Sequence, residues 1–124
     1  MPAVLIVDDE RLIRGNLAAY LEDEGLEVHV ADSAEEALRQ IEAGLDVQVC
    51  IMDVRLPGMN GDEACQALHL RAPGIRFLLH TGSPGYILSP ELAAIGITQD
   101  HLYRKPVTDI ARMAETVRTL CGGQ

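Results

Sequence analysis

Short apolar runs alternate with stretches of helical periodicity along the whole sequence. The runs occupy residues 4–7, 28–31, 47–52 and 76–80, with a weaker one at 102–103. The first is continuous and mostly β-branched, the pattern of a strand covered on both faces. Between the runs, Ile13, Leu17, Tyr20 and Leu21 share one helical face that Gly25 can terminate. Ser33-Ala34-Glu35-Glu36 has capping-box spacing and leads into Ala37, Leu38 and Ile41, with a stop near Gly44. Asn60 with Glu63 repeats that signal ahead of Ala64, Ala67 and Leu68. Ser89 as N-cap and Pro90 at the first helical position predict a short helix over residues 91–95, and Pro84, Gly85 and Pro90 exclude a long one. Ile110, Met113, Ala114, Val117 and Leu120 predict a last amphipathic helix ending at Gly122-Gly123.

Strands alternating with helices favour an α/β fold, a doubly wound five-stranded parallel sheet with helices on both faces. Right-handed crossovers bring the C-terminal ends of such strands to one edge, where ligands bind at a topological switch point. At 124 residues the sequence is expected to form a single domain over 1–124. No apolar run approaches a membrane span, and Met1-Pro2 leads directly into the first strand, so neither a membrane segment nor a signal peptide is expected. Cys50, Cys65 and Cys121 lack metal-ligand spacing and read as isolated thiols of a reducing, cytoplasmic protein. His29, His69, His80 and His101 are scattered over different elements and make a histidine metal site improbable. A net charge of −9 argues against direct nucleic-acid binding, which needs Lys/Arg clusters.

The chemistry-bearing residues collect where the strands end. Asp8 and Asp9 close the first run in "VLIVDDE", Asp53 the third in "VCIMDVRLPGMNG", Thr81 the fourth in "FLLHTGS" and Lys105 the fifth in "LYRKP". Taken singly, an Asp after a strand is most often a turn former or a helix cap, and Asp9 could cap a helix starting near Glu10. Taken together, three carboxylates, a hydroxyl and an ammonium at one edge have no purely structural reason. Close carboxylates repel and stay ionised together only beside a cation. Hard oxygen ligands, few in number beside an open cleft, suit Mg²⁺, which commonly bridges carboxylate to phosphate. A carboxylate can also attack phosphorus to give an aspartyl phosphate, a transfer that needs chiefly positioning and charge neutralisation.

On "VDDE", "MDVRLPGMNG", "TG" after the fourth strand and "KP" after the fifth, the whole chain resembles the receiver domain of two-component response regulators. That resemblance implies the flavodoxin-like, chemotaxis-regulator fold and a phosphoacceptor that catalyses only its own phosphorylation and dephosphorylation. It implies that Asp53 takes a phosphoryl group from a histidine kinase or a histidine phosphotransfer protein. Asp9 and Asp53 would ligate Mg²⁺ directly, Asp8 through water, and the backbone carbonyl of Arg55 would be a further ligand. Lys105 and Thr81 would contact the phosphoryl group, Thr81 carrying the switch. Pro57 and Gly61 would shape the loop after Asp53. A cis Lys105–Pro106 bond would turn the ammonium toward Asp53.

The sequence departs from the family at Leu102, where an aromatic partner of the threonine often stands. A switch pairing Thr81 with Leu102 must then be read out elsewhere. Residues 83–97, with Tyr86, are the expected moving element. Three other readings fit less well. A receiver-like module that is never phosphorylated predicts a lost acid or lysine, and none is lost. A haloacid-dehalogenase-like phosphohydrolase needs Asp-x-Asp where this chain has "DVR". A flavodoxin needs a hydroxyl-rich phosphate loop where it has "DDE".

Overall fold

A computed structural model describes residues 2–105 and 109–122. The elements run β1 (Ala3–Val7), α1 (Arg11–Asp23), β2 (Glu27–Ala31), α2 (Ala34–Glu42), β3 (Val49–Asp53), α3 (Gly61–Arg71), β4 (Arg76–Thr81), α4 (Pro90–Ala94), β5 (Leu102–Arg104) and α5 (Ile110–Gly122). The strands form one parallel sheet in the order β2-β1-β3-β4-β5. Chain order reverses between β1 and β3, so the crevice beyond their C-terminal ends is the switch point of the sheet.

Alternation along the strands divides the core in two. Leu5, Val7, Cys50, Met52, Phe77 and Leu79 pack with Ala37, Leu68 and Leu92 on the side of α2, α3 and α4. Val4, Ile6, Val49, Ile51 and Leu78 pack with Leu17, Leu21, Met113 and Val117 on the side of α1 and α5. β1 and β3 are buried at every position, as their continuous apolar sequence requires, whereas β2, at the sheet edge, is largely open to solvent.

The local signals act where the sequence puts them. Ser33 accepts from the Glu36 N–H, Asn60 and Glu63 form a reciprocal capping box, and Ser89 accepts from the Leu92 N–H. The departures are small. β3 begins at Val49 rather than 47, because Gln48 is drawn into side-chain and main-chain bonds to Ala3 and Arg76. β5 runs on to Arg104, and the Lys105 N–H extends its pairing by bonding the Thr81 carbonyl at 2.8 Å. The short helix covers Pro90–Ala94. Asp9 does not cap α1: Glu10 holds the N-cap position, and no side chain caps it. The last helix reaches Gly122, and Gly123 lies outside the described residues. All three cysteines are free, Cys50 and Cys65 within the core. Among the described residues no helix is long and apolar enough to cross a membrane.

Candidate functional site

Asp8 and Asp53 continue the strand alternation of β1 and β3 past the core. Both are buried, 2% and 3% exposed, at the C-terminal edge. The local backbone fixes each carboxylate. The Glu10 N–H donates to Asp8 Oδ1 at 2.8 Å, and the Arg55 N–H donates to Asp53 Oδ1 at 3.1 Å. Arg14, one turn into α1, donates to the Asp8 carbonyl at 2.7 Å and anchors the strand end from the helix side.

Lys105 enters from the end of β5. Its Nζ lies 3.0 Å from Asp8 Oδ2, 2.8 Å from Glu10 Oε1 and 3.2 Å from Asp53 Oδ2, with only 9% of the side chain exposed. Asp8, Asp9, Glu10 and Asp53 each bring a carboxylate oxygen to within 4.8 Å of the others. One ammonium thus contacts three of these four carboxylates. Burial, then the charge of Asp8, pushes Asp53 up to about 6, with Lys105 opposing the rise. Burial alone would lower the Lys105 ammonium, but its bonds to Glu10 and Asp8 outweigh that and hold it above its ordinary value. An all-oxygen donor set with excess negative charge at an open rim fits Mg²⁺. Asp8, Asp9 and Asp53 are the residues on hand to hold it, and Glu10 is a fourth acid that the sequence reading did not include.

The loop after Asp53 depends on a glycine for space. A Cβ on Gly61 would stand 2.3 Å from the Asp53 carbonyl oxygen and 2.7 Å from Val54 Cα, so only glycine lets α3 begin against the end of β3. Pro57 is exposed in this loop, and the Met59 N–H beyond it donates to Glu35 of α2 at 3.1 Å. Thr81 is fully buried, and its Oγ1 accepts from the Ser83 N–H at 3.0 Å. Leu102 is half-buried and pairs in register with Leu79. Pro106, and with it the Lys105–Pro106 bond, lies outside the described residues.

Lys105, which the sequence already placed at the end of the fifth run, is the only lysine in the chain. Several further contacts escaped the sequence. His80, opposite Asp53 in the sheet register, is 4% exposed, and neither ring nitrogen has a hydrogen-bond partner among the described residues. Burial first, and the Lys105 charge second, pushes it down to about 4. The Tyr86 hydroxyl donates to Asp62 Oδ1 at 2.9 Å, closing one side of a groove of about 520 Å³ lined by Val54, Arg55, Leu56 and Asn60. Arg104 ties the same segment from the other side through the Ser83 carbonyl at 2.7 Å and the Tyr86 carbonyl at 3.4 Å.

Comparison with known proteins gives this arrangement a family. Residues 4–117 match the response regulator receiver domain. Response regulator GacA of Pseudomonas viridiflava is 32% identical, the alignment covering 100% of this chain and 57% of GacA. The protein-glutamate methylesterase/protein-glutamine glutaminase 2 of Caulobacter vibrioides is 30% identical, over 88% of this chain and 35% of that protein. The chain thus spans just over half of the first of these relatives and about a third of the second. Among solved structures, TrrA from Thermotoga maritima in complex with Mg²⁺-BeF superposes with a TM-score of 0.82 at 28% identity, over 97% of this chain and 99% of that one. Chemotaxis protein CheY4 of Vibrio cholerae superposes with a TM-score of 0.80 at 29% identity, over 97% and 98%. With its parallel sheet in the flavodoxin-like arrangement of these receivers and a family match over nearly its full length, the chain belongs to the receiver domains of two-component response regulators.

Proposed function

We propose that Asp53 is the phosphoacceptor, taking a phosphoryl group from the phosphohistidine of a histidine kinase or phosphotransfer protein in the cytoplasm. The observation that carries this reading is the Lys105 ammonium set between Asp8 and Asp53, 3.0 and 3.2 Å from their carboxylates, at the edge where receiver sheets present their ligands. One Asp53 oxygen forms a bond to phosphorus as the phosphorus–nitrogen bond of the donor histidine breaks, and the electron pair leaves with the imidazole. The Arg55 N–H orients the attacking carboxylate, and Lys105 compensates charge on the transferring group. Asp9, Asp53 and the Arg55 carbonyl, with Asp8 acting through water, would hold Mg²⁺, which would supply the remaining charge neutralisation. The Mg²⁺-BeF complex of TrrA supports this assignment by likeness.

Phosphorylation places about −1.5 to −2 of charge and new acceptor oxygens beside Thr81. Thr81 then turns its hydroxyl inward, giving up the Ser83 N–H and loosening residues 83–97. Leu102 cannot follow as an aromatic ring would, so Tyr86 and the segment around it carry the readout to a protein partner. At net charge −9 that partner is not nucleic acid bound directly. Incubation with acetyl phosphate and Mg²⁺ should add one phosphoryl mass to the wild-type protein and none to Asp53→Asn or to wild type with chelator. Labelling that survives Asp53→Asn would move the acceptor elsewhere.

A further inference from the structure

We infer that Glu10 is a positioning residue that holds the Lys105 ammonium at the rim of the pocket and competes for it with a phosphoryl group on Asp53. This rests on the phosphoacceptor reading and adds a restraint to it. Glu10 occupies the N-cap of α1, where a side-chain oxygen ordinarily accepts a helix N–H, yet it makes no such bond. Its Oε1 lies instead 2.8 Å from Lys105 Nζ, the shortest of the three ammonium contacts. The root of the side chain is fixed, because the Glu10 N–H is bonded to Asp8 Oδ1. The three partners also differ in exposure. The side chains of Asp8 and Asp53 are 2% and 4% exposed, whereas that of Glu10 is 56% exposed.

An ammonium has three donors, and here three carboxylates face them. Phosphorylation replaces the Asp53 carboxylate with three phosphoryl oxygens, so Lys105 must give up one further partner to meet more than one of them. The Glu10 contact is the one to yield: its carboxylate is the most solvated, and water can take it over when the lysine leaves. Glu10 thus sets how readily Lys105 reaches the phosphoryl group.

The test uses beryllofluoride as the phosphoryl mimic at saturating Mg²⁺, with the single lysine labelled by [¹³Cε]lysine. Glu10→Gln should bind beryllofluoride about two- to fivefold more tightly than wild type, the size of an exposed ion pair. The gain should vanish in a Lys105→Ala background, because it acts through the ammonium. In protein without Mg²⁺ or beryllofluoride, Glu10→Gln should move the Lys105 εCH₂ resonance and leave the amide shifts of α5 in place. An unchanged or weaker affinity in Glu10→Gln overturns the inference. So does a gain that persists in Lys105→Ala, which would mean direct repulsion between Glu10 and the mimic. Should wild type bind no beryllofluoride, the phosphoacceptor reading fails. The lysine resonance then decides about Glu10 alone, and an unmoved signal overturns the restraint.

Discussion

The pocket around Asp53 and the segment of residues 83–97 adjoin each other but are held by contacts of different kinds. Asp8 and Asp53 stand at the ends of β1 and β3, strands buried at every position and paired on both sides. Residues 83–97 contain one five-residue helix and leave Ile87 81% exposed. Leu92 and Ile97 anchor the segment in the core, Tyr86, Leu88 and Ile95 pack half-buried against it, and the Tyr86–Asp62 bond and Arg104 tie it further. Such hydrogen bonds contribute about 0.5–1.5 kcal/mol each, so the segment can shift its population without disturbing the sheet. The proposed chemistry thus rests on fully buried strands, and the proposed readout on a segment held by weaker contacts.

The largest expected effect breaks the rigid half. Gly61→Ala forces a methyl group into the Asp53 carbonyl, so it should destabilise the protein by roughly 3 kcal/mol and weaken Mg²⁺ binding. Denaturant titration with calorimetry on the same samples checks both. Unchanged stability would mean that α3 slides freely off β3.

Next comes charge within the pocket. In chelator, Asp53→Asn removes one of the crowded carboxylates and should stabilise the fold by about 1 kcal/mol, a rise of several degrees in Tm. The pH profile identifies the cause. The fold prefers protonated Asp53, so the stability this group contributes is present below its ordinary 3.8 and is lost as pH rises through about 6. His80 acts with the opposite sign. The fold prefers it neutral, so its contribution is present above 6.5 and is lost as pH falls through about 4. Between roughly pH 4 and 6 the two oppose each other in wild type. Asp53→Asn should uncover a stability that climbs with pH over that window. A lower Tm at pH 7, or a pH profile parallel to wild type, would count against the crowding.

The smallest effect sharpens the mobile half. Tyr86→Phe keeps the ring and deletes one hydrogen bond, at a cost of about 1 kcal/mol. Hydrogen exchange should quicken within residues 83–97 while Mg²⁺ affinity stays as in wild type. Faster exchange in α1 instead would place the flexible element elsewhere.

The two halves were also unequally legible in the sequence. Apolar runs and capping signals located the strands and helices, and parallel topology alone brings strand ends to one edge. The placement of Asp8, Asp53, Thr81 and Lys105 therefore followed from counting runs. The contacts that specialise the site are not periodic and left no such trace. Glu10 meets Lys105 across 95 residues, Tyr86 meets Asp62 across 24 and Arg104 meets Ser83 across 21. Nor could alternation show that His80 would be buried opposite Asp53 with no hydrogen-bond partner among the described residues. The alternative reading of Asp9 as a helix cap is also settled only by the structure: Glu10 holds the N-cap, and no side chain caps it.

The solitary lysine has a practical corollary for anyone handling the protein. No other side chain carries a primary amine, so a reagent that couples to side-chain amines has a single target, and that target is enclosed by the acids of the pocket. Amine-linked dyes, cross-linkers or sensor surfaces would leave the side chains untouched or else occupy the very group proposed to meet the phosphoryl oxygens. Attachment through the half-buried thiol of Cys121, on the helix at the far end of the sequence, keeps the label out of the pocket.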